Sequence, residues 1–193
     1  LVGSEMCIRD RYNDADQGII GCGQPTFNWG WNNTFNYKNF DFSFFVVGFH
    51  GFDIYNATHQ MGYNLIKSQQ MAGVTPMREL LNRWTPTNTN TDIPGFVKGG
   101  TENKDFFSTR FVENGSFIKM KSITLGYTLP EATCRSLGIN NLRVYASVQN
   151  PFHITKYSGL DPEATMGSPL VQGVDWGAYP NSRNYLIGLN FSF

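Results

Sequence analysis

Between Thr26 and Tyr37 apolar and polar side chains alternate almost without a break. Phe27, Trp29, Trp31, Phe35 and Tyr37 fall on one parity, interrupted by Asn33, and Asn28, Gly30, Asn32, Thr34 and Asn36 fall on the other. A period of two belongs to a strand with one apolar and one wet face. Lys38-Asn39 leaves room only for a tight turn, so the next run, Phe40 to about His50, completes a hairpin. There Phe40, Phe42, Phe44 and Val46 share a face while Phe45, Val47 and Phe49 load the other. Either a bulge changes the phase or the far end is covered on both sides.

The pattern then changes. Asn56 to Ala72, with Gly73 as C-cap, predicts a helix. Thr75-Pro76 supplies an N-cap and a first-turn proline, and Met77, Leu80, Leu81 and Trp84 recur at helical spacing. These predict a short amphipathic helix stopped by Pro86, followed by a polar loop to Gly100. Strand character returns over 117–129, where Ile118 and Met120 oppose Lys119 and Lys121, but Ile123, Leu125 and Tyr127 sit on the lysine parity. A bulge near Ser122 would restore a single apolar face. Pro130 ends the strand, and Glu131 to Leu137 reads as a helical turn closed by Gly138. Over 141–150, Leu142, Val144, Ala146 and Val148 alternate with Arg143, Tyr145, Ser147 and Gln149. After a Gly-, Pro- and Asp-rich loop over 151–183, Tyr185, Ile187, Leu189, Phe191 and Phe193 form the apolar parity of a final strand over 184–193.

About five strands are thus joined alternately by short links and by long ones, 51–116 and 151–183. Short turns at one end and long loops at the other characterise an outer-membrane barrel, whose strands need only about 9 to 11 residues with every second one apolar. This parity holds if the β-like stretch Phe106 to Val112 stays inside the loop. Tyr37, Phe40, Tyr127, Phe191 and Phe193 then gather at the periplasmic rim, and Phe27, Trp29 and Tyr185 toward the other, as rings at a membrane interface do. Lys119, Lys121 and Arg143 oppose the apolar sets and can face the lumen, avoiding the roughly 2–4 kcal/mol of a lipid-facing charge at the midplane. Alternation alone fits a soluble β-sandwich equally well; the loop asymmetry and the strand ending on Phe193 favour the membrane. Five strands close no such barrel, so the chain is expected to be part of a larger one.

Composition agrees. Of 193 residues, 15 Lys+Arg balance 15 Asp+Glu, and the charged share is 16% against 15% Phe, Trp and Tyr. No basic excess exists to displace counterions from phosphates, which argues against nucleic-acid binding, and 40% hydrophobic residues argue against disorder. Cys7, Cys22 and Cys134 show no metal-binding spacing and read as unpaired. The start, residues 1–11, resembles a translated sequencing-adapter read and is set apart from the fold; the genuine chain is expected to begin upstream.

Several ordered stretches carry a family resemblance: Asn32 to Phe45, Asp53-Ile54-Tyr55-Asn56, Leu81-Asn82-Arg83-Trp84-Thr85-Pro86, Asn88 to Pro94, Phe111 to Lys121, Ile123-Thr124-Leu125-Gly126-Tyr127, Asn141 to Tyr145, Gln149-Asn150-Pro151-Phe152 and Tyr157 to Glu163. Together they resemble the C-terminal end of a SusC/RagA-family TonB-dependent outer-membrane transporter, over about Gly18 to Phe193. The resemblance implies an all-β chain that supplies the last strands of a barrel of about 22, with short helices in an extracellular loop. It implies the outer membrane of a Gram-negative bacterium of the Bacteroidota, and import of oligosaccharides, or of peptides in other members. It further implies a SusD-like surface lipoprotein as partner, TonB, ExbB and ExbD acting through an upstream plug region, outer-membrane lipid around the wall, and Phe191 and Phe193 as a C-terminal assembly signal. A passive porin-like barrel is disfavoured by these motifs.

No catalytic constellation emerges. His50, His59 and His153 are dispersed, and no nucleophile elbow, phosphate loop or dinucleotide fingerprint occurs, so neither an enzyme nor a cofactor nor a metal is expected. Gly21-x-Gly23 reads as a turn, Asn56-Ala57-Thr58 as a sequon by composition, and Asp14 and Asp16 as a solvated loop. The ligand-binding candidates are loop aromatics: Trp176 and Tyr179, flanked by Gly177 and Pro180 with no nearby core, and Trp84, whose simpler role is to pack its helix onto the loop.

Overall fold

A computed structural model describes residues 18–63, 77–91, 93, 95, 108–136, 138–165 and 172–192. Residues 1–11, Asp14 and Asp16 lie outside these, as do Phe193, Phe106, Thr75-Pro76, and the expected helix beyond Tyr63 with its Gly73 cap. The strands are β1 (Phe27–Tyr37), β2 (Phe40–His50), β3 (Asp53–Asn56), β4 (Val112–Asn114), β5 (Phe117–Thr128), β6 (Asn141–Gln149), β7 (His153–Thr155), β8 (Val174–Asp175) and β9 (Asn184–Ser192).

The long strands pair antiparallel in the order β1-β2-β5-β6-β9, and the sheet does not close on itself. Its register aligns Phe35, Phe42, Leu125, Ala146 and Ile187 in one row, and Tyr37, Phe40, Tyr127, Val144 and Leu189 in another. Adjacent rows on the opposite face read Thr34, Ser43, Thr124, Ser147, Leu186 and Asn36, Asp41, Gly126, Tyr145, Gly188. The apolar face is uncovered: Phe35 is 53% exposed, Leu125 51% and Ile187 85%. Water would oppose such a surface, since soluble monomers rarely leave large contiguous apolar patches bare.

The expected bulge falls at Lys121. Phe45 faces Ser122 while Val46 faces Met120, leaving Lys121 without a β2 partner residue. The extra residue brings Ile118 and Met120 onto the face of Ile123 and Leu125. At the same level Asn150 takes positive φ and donates its N–H to the Lys121 carbonyl (2.9 Å). β7 then resumes pairing along β5, Phe117 opposite Thr155. The stretch 151–183, expected as one long loop, therefore begins as wall.

The two-sided loading of β2 has a separate cause. Phe49 stacks on Phe117 (5.1 Å between centroids), and Phe52, Ile54 and Tyr157 cover the pair from the polar face of the sheet. Ile54 belongs to a small sheet, β4-β3-β8, built by the long loops at one end of the wall, with Phe52 just before its central strand. In it β3 pairs antiparallel with β4 and parallel with β8, and Tyr55, Ala57 and Phe111 form a second cluster beneath it.

Helix α1 (Ala57–Tyr63) starts where Asn56 Oδ1 accepts the His59 N–H (2.8 Å), an N-cap. Over 77–84, the described part of the expected amphipathic helix, no α-helix forms. A 3-10 turn, Arg78–Asn82, follows Met77; Leu80 is buried but Leu81 is 78% exposed. The Trp84 N–H is drawn to the Ile93 carbonyl (2.8 Å), and Asn88 Nδ2 donates to the carbonyls of Asn82 and Arg83. Longer-range partners thus take the groups an α-helix would use, and propensity yields. At the opposite end, helix α2 (Glu131–Ser136) is closed by Gly138 at φ 72°, whose N–H reaches the Arg135 carbonyl.

Candidate functional site

The loop end carries the sequence-predicted aromatics. β8 is held against β3, and the buried Asp175 side chain ends it as an acceptor. Its Oδ1 accepts the N–H groups of Gly177 (2.8 Å) and Ala178 (3.2 Å), and its Oδ2 accepts the Tyr157 hydroxyl (2.5 Å). Burial, reinforced by the Asp175 contact and by the charges of Asp175 and Glu113, pushes the Tyr157 hydroxyl well above the ordinary phenol range. It therefore stays a donor. The turn so fixed presents Trp176, 59% exposed, and Tyr179, 89% exposed. Trp84 is half-buried, with its indole against Gly95, and no hydrogen bond or ring contact among the described residues joins it to that turn. Phe191 lies on the apolar face opposite Leu142, near the short-turn end.

Beneath the aromatic turn lies a charged cluster. Lys119, on the polar face of β5, is buried beside the equally buried Asp161. Its Nζ donates to Asp161 Oδ2 (2.8 Å) and Glu163 Oε2 (2.7 Å), and Lys121 closes on Glu163 Oε1. Asp161 also accepts the Glu163 N–H (3.0 Å), capping a 3-10 turn that opens with Pro162. Asn181 joins through its N–H to Asp161 Oδ2 (3.2 Å) and its Nδ2 to Glu163 Oε2 (2.9 Å). Burial alone would raise both carboxyls. The hydrogen bonds from Lys119, with those of the Glu163 and Asn181 amides on Asp161 and of Lys121 on Glu163, outweigh it and hold both below the ordinary carboxylate range.

A second charged pair crosses the polar face near the short turns. Arg143 Nε and Nη2 clasp Asp41 Oδ1 and Oδ2 at 2.9 and 2.5 Å, although β5 lies between their strands. The pair passes over Gly126, where a Cβ would sit 2.4 Å from Asp41 Oδ1. The guanidinium also lies 5.1 Å from the centre of the Tyr145 ring, which spreads over Gly188 on β9. All three strand cations thus lie on the polar face. Among the described residues no group of three or more potential ligands gathers to hold a metal ion.

This combination of a one-sided apolar wall, an ion-paired opposite face and loops built at one end has known counterparts. Over 185 residues the chain is 37% identical to TonB-dependent receptor P3 of Formosa agariphila, covering 93% of the chain. It is 33% identical to TonB-dependent receptor SusC of Bacteroides thetaiotaomicron over 85% of the chain. The chain belongs with the TonB-dependent receptors. It spans 17% of the P3 receptor and 15% of SusC. Among solved structures, the RagAB peptide importer in its open-open state superimposes with a TM-score of 0.72 at 29% identity, covering 88% of this chain and 17% of that one. No protein-family profile matches. The sheet is accordingly part of the large barrel of a TonB-dependent receptor, and its uncovered apolar face is the barrel's outer surface.

Within this receptor wall, sequence reasoning placed the lysines and Arg143 on the polar face but missed their partners. The available signal was Asp161-Pro162-Glu163, two carboxylates around a proline in a loop. Nothing local pairs them with Lys119, 42 residues away.

Proposed function

We propose that the chain is part of the wall of an outer-membrane importer that takes up oligosaccharides or peptides through TonB-driven transport, with a SusD-like lipoprotein as surface partner. The observation that carries this reading is the sheet's division into a bare apolar face and a polar face whose charges are paired, with elaborated loops at one end only. The names of the similar proteins, SusC and the RagAB peptide importer, support nutrient import and leave sugar and peptide as the two substrate classes. In this reading Trp176 and Tyr179 offer flat faces to sugar rings or apolar side chains, and Trp84 packs its own loop. Phe191 and Phe193 serve barrel assembly. The neighbours bear the names of receptors and importers, in keeping with a transport role and no catalysis.

The test uses the intact transporter in cells, with radiolabelled mixed oligosaccharide and peptide fractions as separate probes. Trp176→Ala is expected to raise the half-saturating concentration for one probe about fivefold, the equivalent of one lost stacking contact of roughly 1 kcal/mol, at unchanged surface abundance. Unchanged half-saturation for both would refute the aromatic assignment, and no uptake of either by the unaltered transporter would refute import of these classes.

A further inference from the structure

The aromatic turn is tied down on both sides, and the two ties have different origins. On its N-terminal side Asp175 is fixed within the loop sheet by Tyr157. On its C-terminal side Asn181, two residues after Tyr179, is bound to Asp161 and Glu163. Those carboxylates are in turn held by Lys119 and Lys121, which rise from a transmembrane strand. The cluster holds two cations and two anions, so every charge is met. A lysine only 2% exposed is costly to bury unless its partners are fixed. Such an arrangement suits the registering of one segment against another better than the binding of a solute, because each charge in it already has an opposite charge from the protein as partner.

We propose that Lys119, Asp161 and Glu163 are positioning residues, which fasten the loop to the inner face of the barrel wall and set the placement of the Trp176–Tyr179 turn through Asn181. The geometry makes β5 the reference frame for a surface-exposed turn. Loosening the ion pairs frees the C-terminal side of the turn while Asp175 still holds the other. The functional value of this placement rests on the reading that Trp176 and Tyr179 meet substrate, but the mechanical link is measurable without substrate.

The experiment uses the full-length transporter in lipid vesicles, with native cysteines replaced and a nitroxide spin label at Ala178→Cys or, as a control at the opposite end, at Ser136→Cys. With Lys119→Met, the mobile fraction of the label at 178 is expected to rise about tenfold, as for loss of one charge-assisted hydrogen bond, and the label at 136 to be unmoved. An unchanged spectrum at 178 overturns the proposal, and loosening at both sites overturns it in favour of a general structural role. If Lys119→Met does not assemble, Asn181→Ala decides, since it removes the link to Glu163 and leaves the ion pairs intact. Loosening at 178 then supports the proposal, and an unchanged spectrum overturns it. Failure of the import reading would appear only in uptake, so the two are distinguishable.

Discussion

Gly126→Ala is expected to destabilise the barrel although alanine is the better strand residue. The added Cβ would lie 2.4 Å from Asp41 Oδ1 and 2.5 Å from Arg143 Nη2, both far inside van der Waals contact. Both are side-chain tips, so the clash is relieved only by giving up contacts: the pair must part, and the guanidinium must leave its place 5.1 Å over Tyr145, whose ring rests on Gly188. Overpacking of this kind costs about 1–3 kcal/mol. Replacing a strand glycine by alanine returns about 0.5–1 kcal/mol, so the net loss should be about 1 kcal/mol and at most about 2.5 kcal/mol. The pair itself is a quarter exposed and adds little once solvent screening is counted. The measurement is urea-titrated unfolding of the intact receptor in lipid vesicles, run as a double-mutant cycle. In a background carrying Asp41→Ala and Arg143→Ala the obstacle is gone, and Gly126→Ala should become stabilising by about 0.5–1 kcal/mol. A change of sign is the signature. Equal destabilisation in both backgrounds would refute the crossing geometry and point to a backbone role for the glycine.

Three further outcomes follow from the same faces and contacts. Ile187→Arg, on the bare apolar face, should cost about 2–4 kcal/mol in the same unfolding assay, whereas Asn190→Arg, on the polar face, should cost far less; equal costs would overturn the face assignment. Asp161 and Glu163 titrate below their unfolded values, so the stability they contribute is present above the ordinary carboxylate range and lost as pH falls through their depressed values. Hydrogen exchange at the Asn181 amide, corrected for intrinsic rate, should stay slow into that range and accelerate only below it, and acceleration near neutral pH would contradict this. Tyr157→Phe removes the hydroxyl that Asp175 accepts and should lower amide protection at Gly177 and Ala178 by about 1–2 kcal/mol; unchanged protection would show that β8 pairing alone fixes the turn.

The alternation over Phe27–Tyr37, Phe40–His50 and Asn184–Ser192 was legible because a half-buried strand writes a period of two directly into its residues. The bulge was legible to within one residue, from the switch of parity between Met120 and Ile123. Local patterns failed where distant groups compete for the backbone. Met77, Leu80, Leu81 and Trp84 have helical spacing, yet the Ile93 carbonyl claims the Trp84 N–H and leaves a 3-10 turn. Likewise, β7 and β8 are too short to show a period and exist only because β5 and β3 offer edges to pair with.

By itself, then, the sequence determined the strands, their two faces, and the side on which Lys119, Lys121 and Arg143 lie, since each depends on neighbours within a few residues. The tertiary structure alone decided what those charges meet. Asp161 lies 42 residues from Lys119, and Asp41 lies 102 from Arg143. Pairs of such separation are set by sheet register, by the gap that Gly126 leaves and by the folding of a loop back over the wall. The exposure of Trp176 and Tyr179 was open to guesswork from composition. That they sit on a turn fixed from both sides follows only from contacts that the chain order does not contain.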